Sequence, residues 1–138
     1  MHRKDLGTWG ESIVITLLLE NNINVYNSVG DNTRADIIAE DDVGLHKIQV
    51  KTRNRENETS KLIFQKNGPN YQFKYTEKHV DWFALVDVQT KKVAWIPSKY
   101  LRDYDRVITL RHDKPKNNQM AGILMFDDFT NIPFSVPQ

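Results

Sequence analysis

The residue pattern predicts an α/β or α+β fold built on one mostly mixed sheet. Three observations carry that prediction: an apolar stripe at helical spacing near the N-terminus, a hairpin pattern over residues 35–52, and an apolar run over 82–88 with a partner at 93–96. The chain has 138 residues, which fits a single domain spanning 1–138. With 39% hydrophobic and 10% aromatic residues, it can build a core without a disulfide or structural metal.

Thr8-Trp9-Gly10-Glu11 has the form of a capping box and predicts a helix start there. Trp9, Ile13, Val14, Leu17 and Leu18 then recur on one face, and Asn21-Asn22 stops the run. Ile23 to Tyr26 is short and β-favouring. Ala35 to Glu40 and Leu45 to Thr52 read as antiparallel strands joined by the turn residues Asp41-Asp42-Val43-Gly44. Leu62 to Phe64 is a short strand, Asn67-Gly68-Pro69-Asn70 a turn, and Tyr71, Phe73 and Tyr75 alternate with polar residues beyond it. Trp82 to Val88 and Val93 to Ile96 form a buried hairpin across Gln89 to Lys92. A helical turn at Pro97 to Leu101 and a strand at Val107 to Leu110 follow.

Composition excludes several classes. There is no cysteine, so disulfide scaffolds and thiol catalysis fall away, and the reducing cytoplasm is the default location. Ile13 to Leu19 is too short to span a bilayer, so no membrane partner is expected, and the N-terminus lacks a secretory pattern. The four histidines are scattered, and zincin, P-loop, dinucleotide-binding and Gly-x-Ser-x-Gly patterns are all missing.

Net charge is only +1, but its distribution is uneven. Residues 31–42 hold five acids against one base, and residues 51–78 hold seven bases against three acids. Metal-binding carboxylates beside a phosphate-binding surface produce such a pattern; ordinary mixed surface charge produces it as well. A symmetric hairpin centred between Asp42 and Val43 sets Asp36 opposite Gln49, with side chains about 5 Å apart, and puts Lys51 on the same face. A carboxylate, an amide oxygen and an ammonium then converge. Oxygen donors suit Mg²⁺, and an ammonium beside it can orient a nucleophile and offset charge developing on phosphorus. The competing readings are that Glu11 merely closes the capping box and that Asp36 and Lys51 are edge-strand charges.

The helix carrying Glu11, then Ala35-Asp36-Ile37-Ile38, then Ile48-Gln49-Val50-Lys51, resembles the PD-(D/E)XK nuclease superfamily in order and spacing. The resemblance covers about the first half of the chain, and the hairpin from Asp81 to Pro97 is similar to the later strands of that family. It implies a restriction-endonuclease-like fold, a mixed central sheet flanked by helices. It also implies a catalytic set of Glu11, Asp36, Gln49 and Lys51, with metal held by Glu11, Asp36 and the Val50 backbone carbonyl. The implied cofactor is Mg²⁺, with Mn²⁺ as a substitute. One departure stands out: Gln49 occupies a position where the family usually has Asp or Glu. The small group I intron-encoded homing endonucleases are similar in length and in having Gln before x-Lys. This resemblance implies a Mg²⁺-dependent, sequence-specific endonuclease of the homing type acting on duplex DNA. A Holliday junction resolvase acting on branched DNA, and a DNA-binding module whose catalysis lapsed through Gln49, are the alternatives.

One set of site residues cuts one strand, so a double-strand break requires a homo-oligomer, a dimer at least, and the resemblance implies a tetramer. Met120 to Phe134 is apolar enough for an interface, or equally for core packing. DNA contacts are expected from Arg53, Arg55, Lys61, Lys66 and Lys74, with Gln65 as a base reader, although a solvated edge has the same composition.

Overall fold

The computed structural model describes residues 2–29, 35–54, 61–66, 79–102, 106–114 and 122–135, with the Gln65 side chain excepted. The turn at 67–70 and the alternating aromatics at 71–75 lie outside the described residues.

Helix α1 covers Arg3–Glu20, so it starts well before the expected capping box. Its cap is His2, in extended conformation, whose Nδ1 accepts from the Lys4 N–H at 3.3 Å. Asp5 in the first turn suits the positive end of the helix dipole. Thr8 therefore sits inside the helix, where its hydroxyl donates to the Lys4 carbonyl at 3.1 Å, and Glu11 is released from any capping role. Asn21 and Asn22 end the helix as expected: the Asn21 amide donates to the Leu17 carbonyl, and Asn22 takes a left-handed φ of 61°.

Among the described residues eight strands follow: β1 Asn24–Asn27, β2 Ile37–Glu40, β3 Leu45–Arg53, β4 Lys61–Gln65, β5 Trp82–Asp87, β6 Lys92–Pro97, β7 Val107–Arg111 and β8 Leu124–Met125. They form two sheets where one was expected. The larger is mixed, in the order β1-β2-β3-β5-β6, with only β3 and β5 parallel. The smaller is β4-β7-β8. Each strand pattern is local, whereas the choice between adding to the first sheet and forming a second depends on side-chain burial between layers.

Alternation along the central strands explains that choice. Ile48, Val50, Ala84, Val86, Val93 and Trp95 point to the side where Val14 and Leu18 of α1 pack. Phe83, Leu85, Ala94 and Ile96 point the other way, against Leu62, Phe64, Ile108 and Leu110 of the small sheet. The large sheet is thus covered by a helix on one face and by a sheet on the other. Two short 3₁₀ turns, Ser98–Tyr100 and Phe126–Phe129, complete the described elements.

The C-terminal apolar stretch is spent on the chain's own core. Phe126 and Phe134 are buried, and Leu124, Phe129 and Ile132 pack around them. Phe134 stands edge-on to Trp82 and Trp95, with ring centroids 5.8 and 5.4 Å away. Among the described residues no helix is long and apolar enough to cross a membrane.

Candidate active site

The β2–β3 hairpin closes through Asp41, whose carboxylate accepts from the Val43 and Gly44 N–H groups, while Gly44 supplies a φ of 148°. That turn produces the pairs Ile37–Ile48, Ile38–Lys47, Ala39–His46 and Glu40–Leu45, the register inferred from the sequence. One step beyond the last pair, the Asp36 N–H still donates to the Ile48 carbonyl at 2.9 Å. The Asp36 side chain then takes over from the backbone: its Oδ2 accepts from the Val50 N–H at 2.9 Å. A carboxylate is thereby fixed at the point where the hairpin ladder ends.

Gln49 lies beside Phe83, and Lys51 beside Leu85, in the parallel β3–β5 ladder, so both side chains face the small sheet. Gln49 is only 7% exposed, and its Oε1 has no hydrogen-bond partner. A buried acceptor without a partner costs stability, so this oxygen is open to a ligand that could reach it. Burial pushes Lys51 below the usual lysine range against the pull of Asp36, and the charge of Lys66 adds to the depression.

Glu11 reaches the same region from the helix. Burial raises its pKa, and the charge of Asp36 raises it further. Burial also raises Asp36, and the Val50 N–H and Lys51 only partly offset it. The approach of the helix depends on Gly10, a residue the sequence pattern did not single out. A Cβ at Gly10 would overlap Thr52 Oγ1 and lie 2.8 Å from both Thr52 Cβ and Cγ2. The available signal was a lone glycine inside an apolar helical run, next to an acid.

Glu11 and Asp36, whose charge raises Glu11, offer carboxylate oxygens of the kind hard divalent cations take. Among the described residues no three His, Cys, Asp or Glu side chains come together as a metal cluster. The histidines are engaged elsewhere: His46 Nε2 lies 2.9 Å from Asp41 Oδ1, and His112 Nε2 3.9 Å from Asp87 Oδ2.

The residues expected to contact DNA separate. Lys61 is exposed on β4, and Arg53 is partly buried at the end of β3, next to Asp87 in the ladder. Lys66 is not a surface residue: it is 1% exposed, because it continues the buried face of β4 set by Leu62 and Phe64, and its Nζ donates to the Arg102 carbonyl at 3.1 Å. Arg55 and Lys74 lie outside the described residues, as does the Gln65 side chain.

Comparisons with known proteins bear on the fold and the family. The solved structure of the bacterial homing endonuclease I-Ssp6803I superposes with a TM-score of 0.67 at 17% identity, covering 83% of this chain and 79% of that one. At that identity the likeness concerns the fold. A search of curated protein sequences gives no match. A family model described as PD-(D/E)XK endonuclease matches residues 1–132, so nearly the whole chain is accounted for, and the chain belongs to the PD-(D/E)XK endonuclease family.

Proposed function

We propose that this nuclease is a Mg²⁺-dependent, sequence-specific endonuclease of the homing type, acting as one domain on duplex DNA. The observation that carries the reading is the meeting of Asp36, Gln49 and Lys51 at the end of the hairpin ladder, with Gln49 Oε1 buried and unpartnered. Glu11, Asp36, Gln49 and the Val50 carbonyl would hold the cation, with Mn²⁺ as a substitute. When bound, such a cation lowers the pKa of a water and polarises the phosphoryl oxygen. The Val50 N–H keeps the Asp36 carboxylate in one orientation, so it has no reorganisation to undergo during the reaction. Lys51 orients the attacking water and offsets the negative charge that builds on the phosphoryl oxygens as water displaces one ester oxygen. Lys61 and Arg53 would contact the DNA backbone; Arg55 and Lys74 are proposed for the same role and Gln65 as a base reader from the sequence alone.

Cutting both strands requires at least two copies, and the long targets of homing enzymes favour a tetramer. A chain without cysteine suits the cytoplasm. One observation favours a second reading: Gln49 is neutral and binds a cation more weakly than a carboxylate, as in a DNA-binding module that has lost catalysis.

The deciding experiment is Mg²⁺-dependent cleavage of a long duplex library and a synthetic four-way junction, side by side, with Lys51→Ala and Gln49→Glu. Discrete duplex cuts that vanish in Lys51→Ala support the proposal. Junction-only cleavage makes the protein a resolvase. An inert wild type whose Gln49→Glu variant cuts establishes the lapsed module, and cleavage that survives Lys51→Ala refutes the site.

A further inference from the structure

Helix α1 carries more apolar surface than the sheet beneath it covers. Of its seven large apolar residues from Trp9 to Leu19, only Val14 and Leu18 are buried; Trp9, Ile13, Ile15 and Leu17 are half-buried, and Leu19 is exposed. A helix that is apolar beyond a single stripe calls for a second packing partner. Met120 to Phe134, the other stretch apolar enough for an interface, is spent on the chain's own core.

Trp9, Ile13 and Leu17 recur every fourth residue and line one side of a groove of about 410 Å³ between α1 and the β5–β6 turn, with Ser12 and Thr16 at its rim. Ser12 spends its hydroxyl on the Thr8 carbonyl at 3.0 Å, and the groove has none of the convergent buried polar groups that orient a small ligand. Its charges sit at the ends. Glu20 and Lys91 close one end, and Arg3 and Asp5 are exposed at the opposite end of the helix. Among the described residues none of these four makes an ion pair. Glu11 is two residues from Ile13 and so about 200° round the helix, which leaves the candidate active site clear of the groove.

We propose that this groove is an interface between two copies of the chain, packed α1 against α1 in antiparallel sense about a two-fold axis at Ile13. That axis sets Trp9 of one copy against Leu17 of the other, so the aromatic anchors and the apolar row are buried together. With a rise of about 1.5 Å per residue, Asp5 and Arg3 lie about 12 and 15 Å from the axis, and Glu20 about 10.5 Å on its other side. Arg3 of one copy then reaches Glu20 of the other, and Asp5 reaches Lys91. A parallel pair would set Glu20 against Glu20 and Lys91 against Lys91, so the charges select the antiparallel arrangement. The inference rests on the reading above that two copies act together, and deepens it by naming the surface that joins them.

The chain has no cysteine, so a single introduced one can form a disulfide only with another copy. Ile13→Cys, oxidised with copper phenanthroline, should cross-link into a covalent dimer. Leu19→Cys, about 18 Å along the axis from its counterpart, should not. In sedimentation equilibrium, Ser12→Arg combined with Thr16→Arg should halve the mass of the wild-type assembly. Glu20→Arg should weaken association by about five- to thirtyfold, and adding Arg3→Glu should restore most of it.

An oligomeric wild type whose mass survives in the folded Ser12→Arg, Thr16→Arg variant overturns the α1 interface and leaves the two-copy reading standing. Both positions are exposed, so this arm decides the matter even if Ile13→Cys does not fold. A folded Ile13→Cys that stays uncross-linked in an oligomeric protein overturns the interface as well. A wild type that is monomeric at micromolar concentration overturns both the interface and the two-copy reading, while the nuclease assignment stands or falls with the cleavage assay.

Discussion

Replacing Gly7 and Gly10 by alanine, one at a time, tests how the helix delivers Glu11. Both residues lie in α1, and each exchange carries the same gain in helix propensity, about 1 kcal/mol. Nothing lies within 4 Å of a Cβ at Gly7, so that gain should appear almost in full. Gly7→Ala should stabilise the protein by about 0.5–1 kcal/mol, raising Tm by about 2–5 °C for a chain of this size. At Gly10 the added methyl meets Thr52 Oγ1, and it also lies 2.8 Å from Thr52 Cβ, which rotation about χ1 cannot move away. Helix and strand must then separate, at a cost of about 1–3 kcal/mol for overpacking. Set against the propensity gain, Gly10→Ala should range from neutral to about 2 kcal/mol destabilising. Urea unfolding and thermal melting should therefore separate the two variants by about 1–3 kcal/mol. Since Glu11 is the next residue, cleavage by Gly10→Ala should fall by about tenfold to a hundredfold, while Gly7→Ala keeps wild-type activity. If Gly10→Ala is as stabilising as Gly7→Ala and cuts as well, the close approach of α1 to β3 is not what places Glu11.

The remaining predictions concern charge and packing. Burial raises the pKa of Asp36 and, together with the charge of Asp36, that of Glu11, so the folded protein holds these protons more tightly than the unfolded chain. Stability must then fall as pH rises from their ordinary values of 3.8 and 4.5 through the raised ones, and the deficit persists above them. Asp36→Asn and Glu11→Gln should accordingly melt higher than wild type at neutral pH while losing cleavage; a lower Tm for Asp36→Asn would contradict the assignment. Asp41 behaves oppositely. Burial pushes it up, but His46 and the N–H groups of Ser135, Gly44 and Val43 outweigh burial and hold it at about 2. Its contribution is complete above 3.8 and disappears as pH falls towards 2, so Asp41→Asn should flatten that part of the acid unfolding curve. Phe126 is fully buried between the sheets, and Phe126→Ala should cost about 3–5 kcal/mol in urea unfolding. A loss below 1 kcal/mol would mean that the second core is not packed as described.

Much of the site was legible in the sequence because it depends on a tight hairpin. Gly44 and Asp41 define the turn, the turn defines the register, and a period of two then places Asp36, Gln49 and Lys51 without any long-range information. The strand pairs 82–87 with 92–97 and the helix stop at Asn21 are local in the same sense. The helix start was misread because Thr8 and Glu11 satisfy a capping pattern that the helix runs through, carried by the good helix formers Arg3, Lys4 and Leu6 and by Asp5 in its first turn.

Features that depend on how layers meet were decided only by the tertiary structure. That β4, β7 and β8 form a second sheet follows from burying Leu62, Phe64, Ile108 and Leu110 against Phe83 and Leu85, a contact between residues distant along the chain. Gly10 became significant only once Thr52 was found beneath it. Lys66 shows the limit most clearly. In the sequence it is one of seven bases in a basic stretch, and a period of two sets it on the opposite face of β4 from Lys61 without saying which face is covered. Folding exposes Lys61 to solvent and buries Lys66, because the face of β4 that carries Leu62 and Phe64 packs on the large sheet, Lys66 continues that face, and the Arg102 carbonyl receives its ammonium. Local periodicity determined which residues could share a face; packing between layers decided which charges would share a site.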